Sequence, residues 1–185
     1  MEQPAGNKIT GNPSSHPALS VKWVEDFPDI PLNRNEAYKL RVTSKGVEIE
    51  AITETGVYRA IQTLRQLTEK KGNGIAITGC EITDWPAFRI RGFMQDVGRT
   101  YISTDELKRE IAILARYKIN VFHWHLTENQ AWRLQSKVFP MLNDSVNTTR
   151  QPGKYYTLEE ARELAAFCKQ HHVCLLYTSP SPRDA

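Results

Sequence analysis

The sequence predicts an α/β fold preceded by a smaller α+β unit, and three observations carry that prediction. Residues 92–97, 103–116 and 119–126 read as strand, capped helix and strand. Only Tyr117 and Lys118 separate this helix from the strand after it, and so tight a return is what a parallel βαβ unit requires, with both sheet faces covered. Upstream, residues 38–51 alternate apolar and polar side chains on either side of Ser44, Lys45 and Gly46, as a half-buried hairpin does.

Taken in order, Met1 to Pro17 is rich in Gly, Asn, Ser and Pro and reads as loop or frayed end. Leu19, Val21 and the Trp23–Val24 pair then alternate with polar residues as a strand, which Pro28 and Pro31 end. In the hairpin, Leu40 and Val42 belong to one arm and Val47, Ile49 and Ala51 to the other. Thr55 to Lys70 carries Val57, Ile61 and Leu64 at helical spacing. The run from Lys70 to Gly74 stops that helix, because its glycines and asparagine favour left-handed or extended backbone. A strand over 75–82 completes an α+β domain expected to span 18–84, and Asp84-Trp85-Pro86 marks the join to a second domain over 85–173.

In that second domain Ser103 supplies a helix N-cap and Glu106 the reciprocal partner three residues on. Leu107, Ile111, Leu114 and Ala115 form the stripe to be buried, while Lys108, Arg109, Glu110 and Arg116 cover the other side. Thr157 and Glu160 repeat the capping pattern ahead of a second helix, with Leu158, Ala161, Leu164, Ala165 and Cys168 as its buried stripe. His171 and His172 fall at its C-terminal end, where positive charge is favourable. Between these elements, Thr127 to Tyr156 has few periodic signals, and loops this long in compact domains are usually functional.

Composition narrows the function. A chain of 185 residues with 40% apolar content suits one domain or two small ones. A formal charge of +3 with basic and acidic residues interspersed argues against a nucleic-acid binder. Cys80, Cys168 and Cys174 are odd in number and widely spaced, which indicates neither a disulfide framework nor a paired-cysteine metal site. No run has the length of a membrane span, and the first residues have no apolar stretch for a signal peptide.

The strand ends hold the chemistry. Arg91 opens the first strand, Asp96 and Arg99 close it, and the second ends in His123, Trp124, His125 and Glu128. The pattern RG-x-x-x-D-x-x-R followed by NVFHWHLTENQAWR resembles the opening of the catalytic barrel of family-20 glycoside hydrolases, the β-N-acetylhexosaminidases. Upstream, EAYKLRV, GVEIEA and G-x-Y-x-A-x-Q-T-L are similar to the small domain that precedes that barrel. The resemblance implies an incomplete (β/α)8 TIM barrel, whose active face is formed by the loops that follow the strands. It implies removal of terminal β-linked N-acetylglucosamine or N-acetylgalactosamine from glycans, with the substrate's own acetamide as nucleophile and no cofactor or metal. In the family an adjacent Asp-Glu pair on the fourth strand orients the acetamide and exchanges protons. This chain ends before that strand, so no catalytic residue is assigned and the piece by itself is expected to be inactive.

The residues expected to bind sugar are Arg91, Glu128, His125 and Trp132. A guanidinium offers several fixed donors to vicinal hydroxyls, and the resemblance makes Arg91 the arginine that holds the terminal sugar. The alternative is a salt bridge from Arg91 to Asp96 or Glu128. Glu128 stands where many members have Asp, with an extra methylene of reach. Trp132, in the long loop, is either a stacking platform for a pyranose face or part of the packing, and Trp124 is expected in the core. Asp96 and Arg99 are read as structural, orienting the Arg91 region. His123 and His125 share a strand face, a spacing that can ligate zinc, but no third ligand at suitable spacing is visible in the sequence.

The end of the chain departs from this pattern. Val173 should open a third strand, yet CLLYTSPSPRDA combines serine and proline in a way unsuited to a buried parallel strand. Residues 174–184 resemble the translation of a transposase-type sequencing adaptor, so 174–185 are expected to be a non-native tail. A natural disordered tail is the alternative. Family members are commonly exported, which implies a periplasmic or secreted setting. The rival functions are a non-hydrolytic carbohydrate-binding module and a metal-dependent hydrolase using His123 and His125.

Overall fold

The computed structural model describes residues 8–9 and 18–178, and the chain divides into two compact units, Met1–Arg89 and Ile90–Ala185. The first runs β1 (Lys8–Ile9), β2 (Ala18–Trp23), β3 (Tyr38–Thr43), β4 (Gly46–Ala51), α1 (Glu54–Gln66), β5 (Thr68–Lys71), β6 (Gly74–Thr78) and β7 (Cys80–Asp84). Its strands form two sheets, in the orders β2-β4-β3-β7 and β1-β6-β5. The hairpin read from the sequence is present: Thr43 faces Gly46, Leu40 faces Ile49 and Tyr38 faces Ala51. Its alternation buries Tyr38, Leu40, Val42, Val47, Ile49 and Ala51. Helix α1 packs Val57, Ala60, Ile61 and Leu64 against that row, so a period-two face meets a period-3.6 stripe. Thr53 caps α1, its hydroxyl accepting from the Gly56 N–H.

Three features of this unit differ from the sequence reading. Within the stretch expected to be loop, Lys8 and Ile9 pair antiparallel with Thr78 and Ile77; the remainder of 1–17 lies outside the described residues. The helix ends at Gln66 rather than Lys70, and Thr68–Lys71 instead pairs with Gly74–Thr78 around a turn that holds Gly72 at φ +59°. The strand expected over 75–82 is two strands in different sheets, β6 and β7. For β1 and β7 a partner distant in sequence supplies hydrogen bonds that local periodicity does not register, whereas β5 is drawn out of the helix by a local hairpin with β6 across the Gly72 turn.

The second unit runs β8 (Gly92–Asp96), α2 (Thr104–Arg116), β9 (Val121–His125), β10 (Thr127–Glu128), β11 (Ala131–Trp132), α3 (Leu158–Gln170) and β12 (Cys174–Thr178). A parallel sheet in the order β8-β9-β12 aligns Gly92, Val121 and Cys174 at one end and Asp96, His125 and Thr178 at the other. Phe122 and Trp124 are buried on one face of β9, with Leu107, Ile111 and Ala115 of α2 and Leu164 and Cys168 of α3. Burial pushes the Cys168 thiol up to about 12, which leaves it an inert apolar side chain at neutral pH. Both capping boxes are formed, Ser103 with Glu106 and Thr157 with Glu160. Lys108 of α2 meets Glu163 of α3 at 3.3 Å.

The sheet does not stop at Val173. Cys174–Thr178 pairs in parallel along the whole of β9, forming a strand at the sheet edge, although the serine and proline pattern of 174–185 reads as unsuited to a buried parallel strand. The ladder uses main-chain groups, and Pro180 and Pro182 fall beyond it, outside the described residues. The side chains gain little from this pairing, since Leu176 and Tyr177 are exposed.

Candidate functional site

Register brings the functional side chains together. Asp96 ends β8 directly opposite His125, the last residue of β9, and both lie at the C-terminal edge of the parallel sheet. Immediately beyond, the chain turns back: the Val97 and Gly98 N–H groups both donate to the His125 carbonyl, at 3.0 and 3.1 Å. Glycine suits this passage, because a Cβ at Gly98 would stand a tight 3.0 Å from both the backbone nitrogen and the Cβ of Glu128. This close passage carries Arg99 to the carboxylates. Its guanidinium donates to Asp96 Oδ2 and pairs ionically with Glu128 Oε1 at 2.9 Å, while its own N–H donates to Asp96 Oδ1 at 3.0 Å. His125 Nε2 shares a hydrogen bond with the same Glu128 oxygen at 3.0 Å. Over half of the Arg99 side chain stays exposed (55%), whereas Asp96 and Glu128 are largely covered. The cluster therefore presents an anchored guanidinium to solvent, with a carboxylate and an imidazole beside it.

Burial pushes the Asp96 carboxyl up, but the Arg99 backbone N–H and guanidinium outweigh it and hold the group below the usual carboxylate range. The folded pKa is thus depressed. The stabilisation it confers is complete above the unfolded value of about 3.9 and is lost as pH falls through the lowered folded value. Carboxyl carbon NMR of the chain is expected to show Asp96 titrating below that ordinary value; a midpoint at or above it would contradict the tether.

Of the four predicted sugar-binding residues, Glu128 and His125 belong to this cluster and Arg91 does not. Arg91 stands before β8, at the N-terminal edge of the sheet. There its N–H donates to Asn120 Oδ1 and its Nε to the Lys118 carbonyl, each at 2.8 Å. A five-residue strand lies between Arg91 and the Asp96 end, a separation of about 16 Å. The alternative reading, a salt bridge from Arg91 to Asp96 or Glu128, is corrected accordingly, because Arg91 and Asp96 stand at opposite ends of one strand. Arg99, read from sequence as a structural accessory, is the arginine the fold brings to the carboxylates. The signal was available, since Arg99 follows its strand whereas Arg91 precedes it. Trp132 is on β11, opposite Thr127, while Glu128 faces Ala131, so tryptophan and carboxylate occupy alternate faces of this short ribbon. Its indole Nε1 is buried without a hydrogen-bond partner among the described residues. Trp124 is buried in the core, as expected.

Asp96, His125 and Glu128 also place potential ligand atoms within 4.8 Å of one another. This set contains His125 but not His123, so it is a different group from the His123–His125 pair read from the sequence. Arg99 already occupies both carboxylates as the resident cation, which leaves this donor set without a vacant anionic centre for a divalent ion.

The sequence profile of glycosyl hydrolase family 20, catalytic domain, matches residues 88–182, and that of the family's domain 2 matches residues 4–85. The chain belongs to glycosyl hydrolase family 20. It is 37% identical to a β-hexosaminidase of Porphyromonas gingivalis, a match that covers 100% of this chain and 23% of that protein. It is 36% identical to a β-N-acetylhexosaminidase of Cellulomonas fimi, covering 80% of this chain and 30% of that one. Among solved structures, the family-20 β-N-acetylhexosaminidase of Streptomyces coelicolor superposes with a TM-score of 0.79 at 28% identity, over 91% of this chain and 35% of that one. The chain thus spans about a quarter of the length of the curated relatives it matches (23, 25 and 30% of three of them). The catalytic-domain match runs past Val173, into the stretch that β12 occupies.

Proposed function

We propose that this chain is part of an exo-acting β-N-acetylhexosaminidase that removes terminal β-linked N-acetylglucosamine or N-acetylgalactosamine by substrate-assisted, retaining hydrolysis. The observation that carries the reading is the exposed Arg99 guanidinium, braced by Asp96 and Glu128 at the C-terminal edge of the parallel sheet. In a TIM barrel that edge is where reaction sites sit. Three parallel strands that neighbour one another in sequence order are consistent with the opening of an eight-stranded barrel. Arg99 and Glu128 hold adjacent hydroxyls of the terminal sugar, one as donor and one as acceptor, with His125 fixing the carboxylate.

In the proposed reaction the acetamide carbonyl oxygen attacks the anomeric carbon as the glycosidic bond breaks, and the leaving oxygen takes a proton from an acid. Water then opens the oxazolinium from the opposite side, giving retained configuration. The acid belongs to the family's Asp-Glu dyad on the fourth strand. Asp105–Glu106 of this chain is an adjacent Asp-Glu pair, but it stands in the first turn of α2, where Glu106 closes the capping box. The segment accordingly contributes sugar recognition, and the acid and base come from elsewhere in the enzyme.

A chimera in which residues 18–173 replace the matching segment of the Streptomyces coelicolor enzyme tests this. It is expected to hydrolyse p-nitrophenyl N-acetyl-β-glucosaminide and to release the β-anomer first. A folded chimera that binds N-acetylglucosamine without turnover would favour the non-hydrolytic carbohydrate-binding reading instead.

A further inference from the structure

Arg133 is fully buried, and its partners among the described residues are carbonyl oxygens rather than a carboxylate. Its Nε donates to the Val97 carbonyl at 3.0 Å. Nη1 donates to the Gln151 and Lys154 carbonyls at 3.2 and 2.7 Å, and Nη2 to the Arg150 carbonyl at 2.8 Å. Its own backbone is pinned as well, its N–H donating to the Leu126 carbonyl and its carbonyl accepting from the Tyr156 N–H. A buried cation is unfavourable unless its donors are satisfied. Here four backbone dipoles do that work, and they come from two loops.

Both loops bear on the cluster at the sheet edge. Val97 lies between Asp96 and Gly98, on the turn that delivers Arg99. Its N–H side is held by His125 and its C=O side by Arg133, so the peptide is gripped from two directions. The 150–154 loop, with Gln151 and Gly153 in the left-handed region at φ 52° and 73°, sends the Gln151 side chain back to accept from the Tyr101 N–H at 2.6 Å. One guanidinium thus ties the loop after β8 to the segment before α3 while standing on the loop after β9. Lysine cannot reproduce this, because its three donors radiate from a single nitrogen whereas the planar fork spans separated acceptors.

We propose that Arg133 is a positioning residue: by clamping Val97 and the 150–154 carbonyls together it fixes the turn from which Arg99 reaches Asp96 and Glu128. Its importance for sugar binding rests on the function proposed above, but the clamp itself does not.

The test is amide hydrogen exchange on the full 185-residue chain, read at Val97, Gly98 and Tyr101, with Leu164 in α3 as the reference for global opening. Arg133→Ala is expected to speed exchange at the three loop amides by about tenfold or more relative to Leu164. Millimolar methylguanidinium, which refills the carbonyl-lined cavity, is expected to restore protection. Should the alanine variant open globally, Arg133→Lys decides: loss confined to residues 97–101 supports the clamp, and uniform loss through α3 overturns it. Unchanged loop protection in the alanine variant also overturns it. Titration of the same samples with N-acetylglucosamine separates the two ideas. No binding by the wild-type chain would count against the sugar site while exchange still decides the clamp. Equal binding by wild type and by a variant that has lost loop protection would sink the positioning role.

Discussion

In an enzyme whose barrel is completed around this segment, such as the chimera with the Streptomyces coelicolor protein, Arg99→Ala is expected to lower kcat/KM by about 30- to 1,000-fold. That corresponds to roughly 2 to 4 kcal/mol of transition-state binding, the scale of one or two hydrogen bonds to a charged group. The loss has two sources. The sugar loses its donor, and Asp96 and Glu128 are left as neighbouring carboxylates without the cation that separates them. Arg91→Ala supplies the control. Its side chain serves the Lys118 carbonyl at the other end of the strand, so it is expected to cost about 1 kcal/mol of stability and leave kcat/KM within about twofold. Steady-state kinetics of the two variants, compared with their thermal midpoints, distinguishes these results. A larger kinetic loss for Arg91 than for Arg99 would refute the placement of the site at the C-terminal edge.

Gly56→Val is expected to destabilise the first unit by about 3 kcal/mol or more, the upper range for overpacking a well-filled interior. A Cβ at this position would stand 2.5 Å from the Ala37 carbonyl oxygen and 3.2 Å from the Ala51 Cβ. Neither neighbour can step aside: Ala37 leads into β3, and Ala51 ends β4 within the buried row. The first turn of α1 therefore has to lift away from the sheet, taking Val57, Ala60 and Ile61 with it. Gly74→Ala makes a matched control, since its nearest neighbour would be the Lys71 carbonyl at 3.7 Å; a change within about 0.5 kcal/mol is expected there. Urea unfolding of both variants gives the comparison, and equal midpoints would show that the α1 packing is looser than these distances require.

Much of the architecture was written locally. The two capping boxes, the turn between β3 and β4 and the stripe on α2 each depend on residues within a few positions of one another, so inspection of neighbours suffices to find them. The short return through Tyr117 and Lys118 likewise announced parallel strands, and Lys118 indeed takes a left-handed φ of 62° there. His125 and Glu128 were legible as candidates because they stand at and just beyond the C-terminal end of β9.

What the sequence could not decide was partnership across distance. That Arg91 precedes the strand and Arg99 follows it is legible in the order of residues, but the parallel register alone brings the end shared with His125 to Glu128. The pairing of Cys174–Thr178 depends on β9, whose main chain is remote in sequence, and the end of α1 depends on β5 folding back on β6 as a hairpin, which helical periodicity does not register. Arg133 closes the NVFHWHLTENQAWR motif, but nothing in the sequence marked its role, because its partners are backbone carbonyls, which every residue carries. Local chemistry sets which elements form, whereas the spatial meeting of their ends sets which charges cooperate.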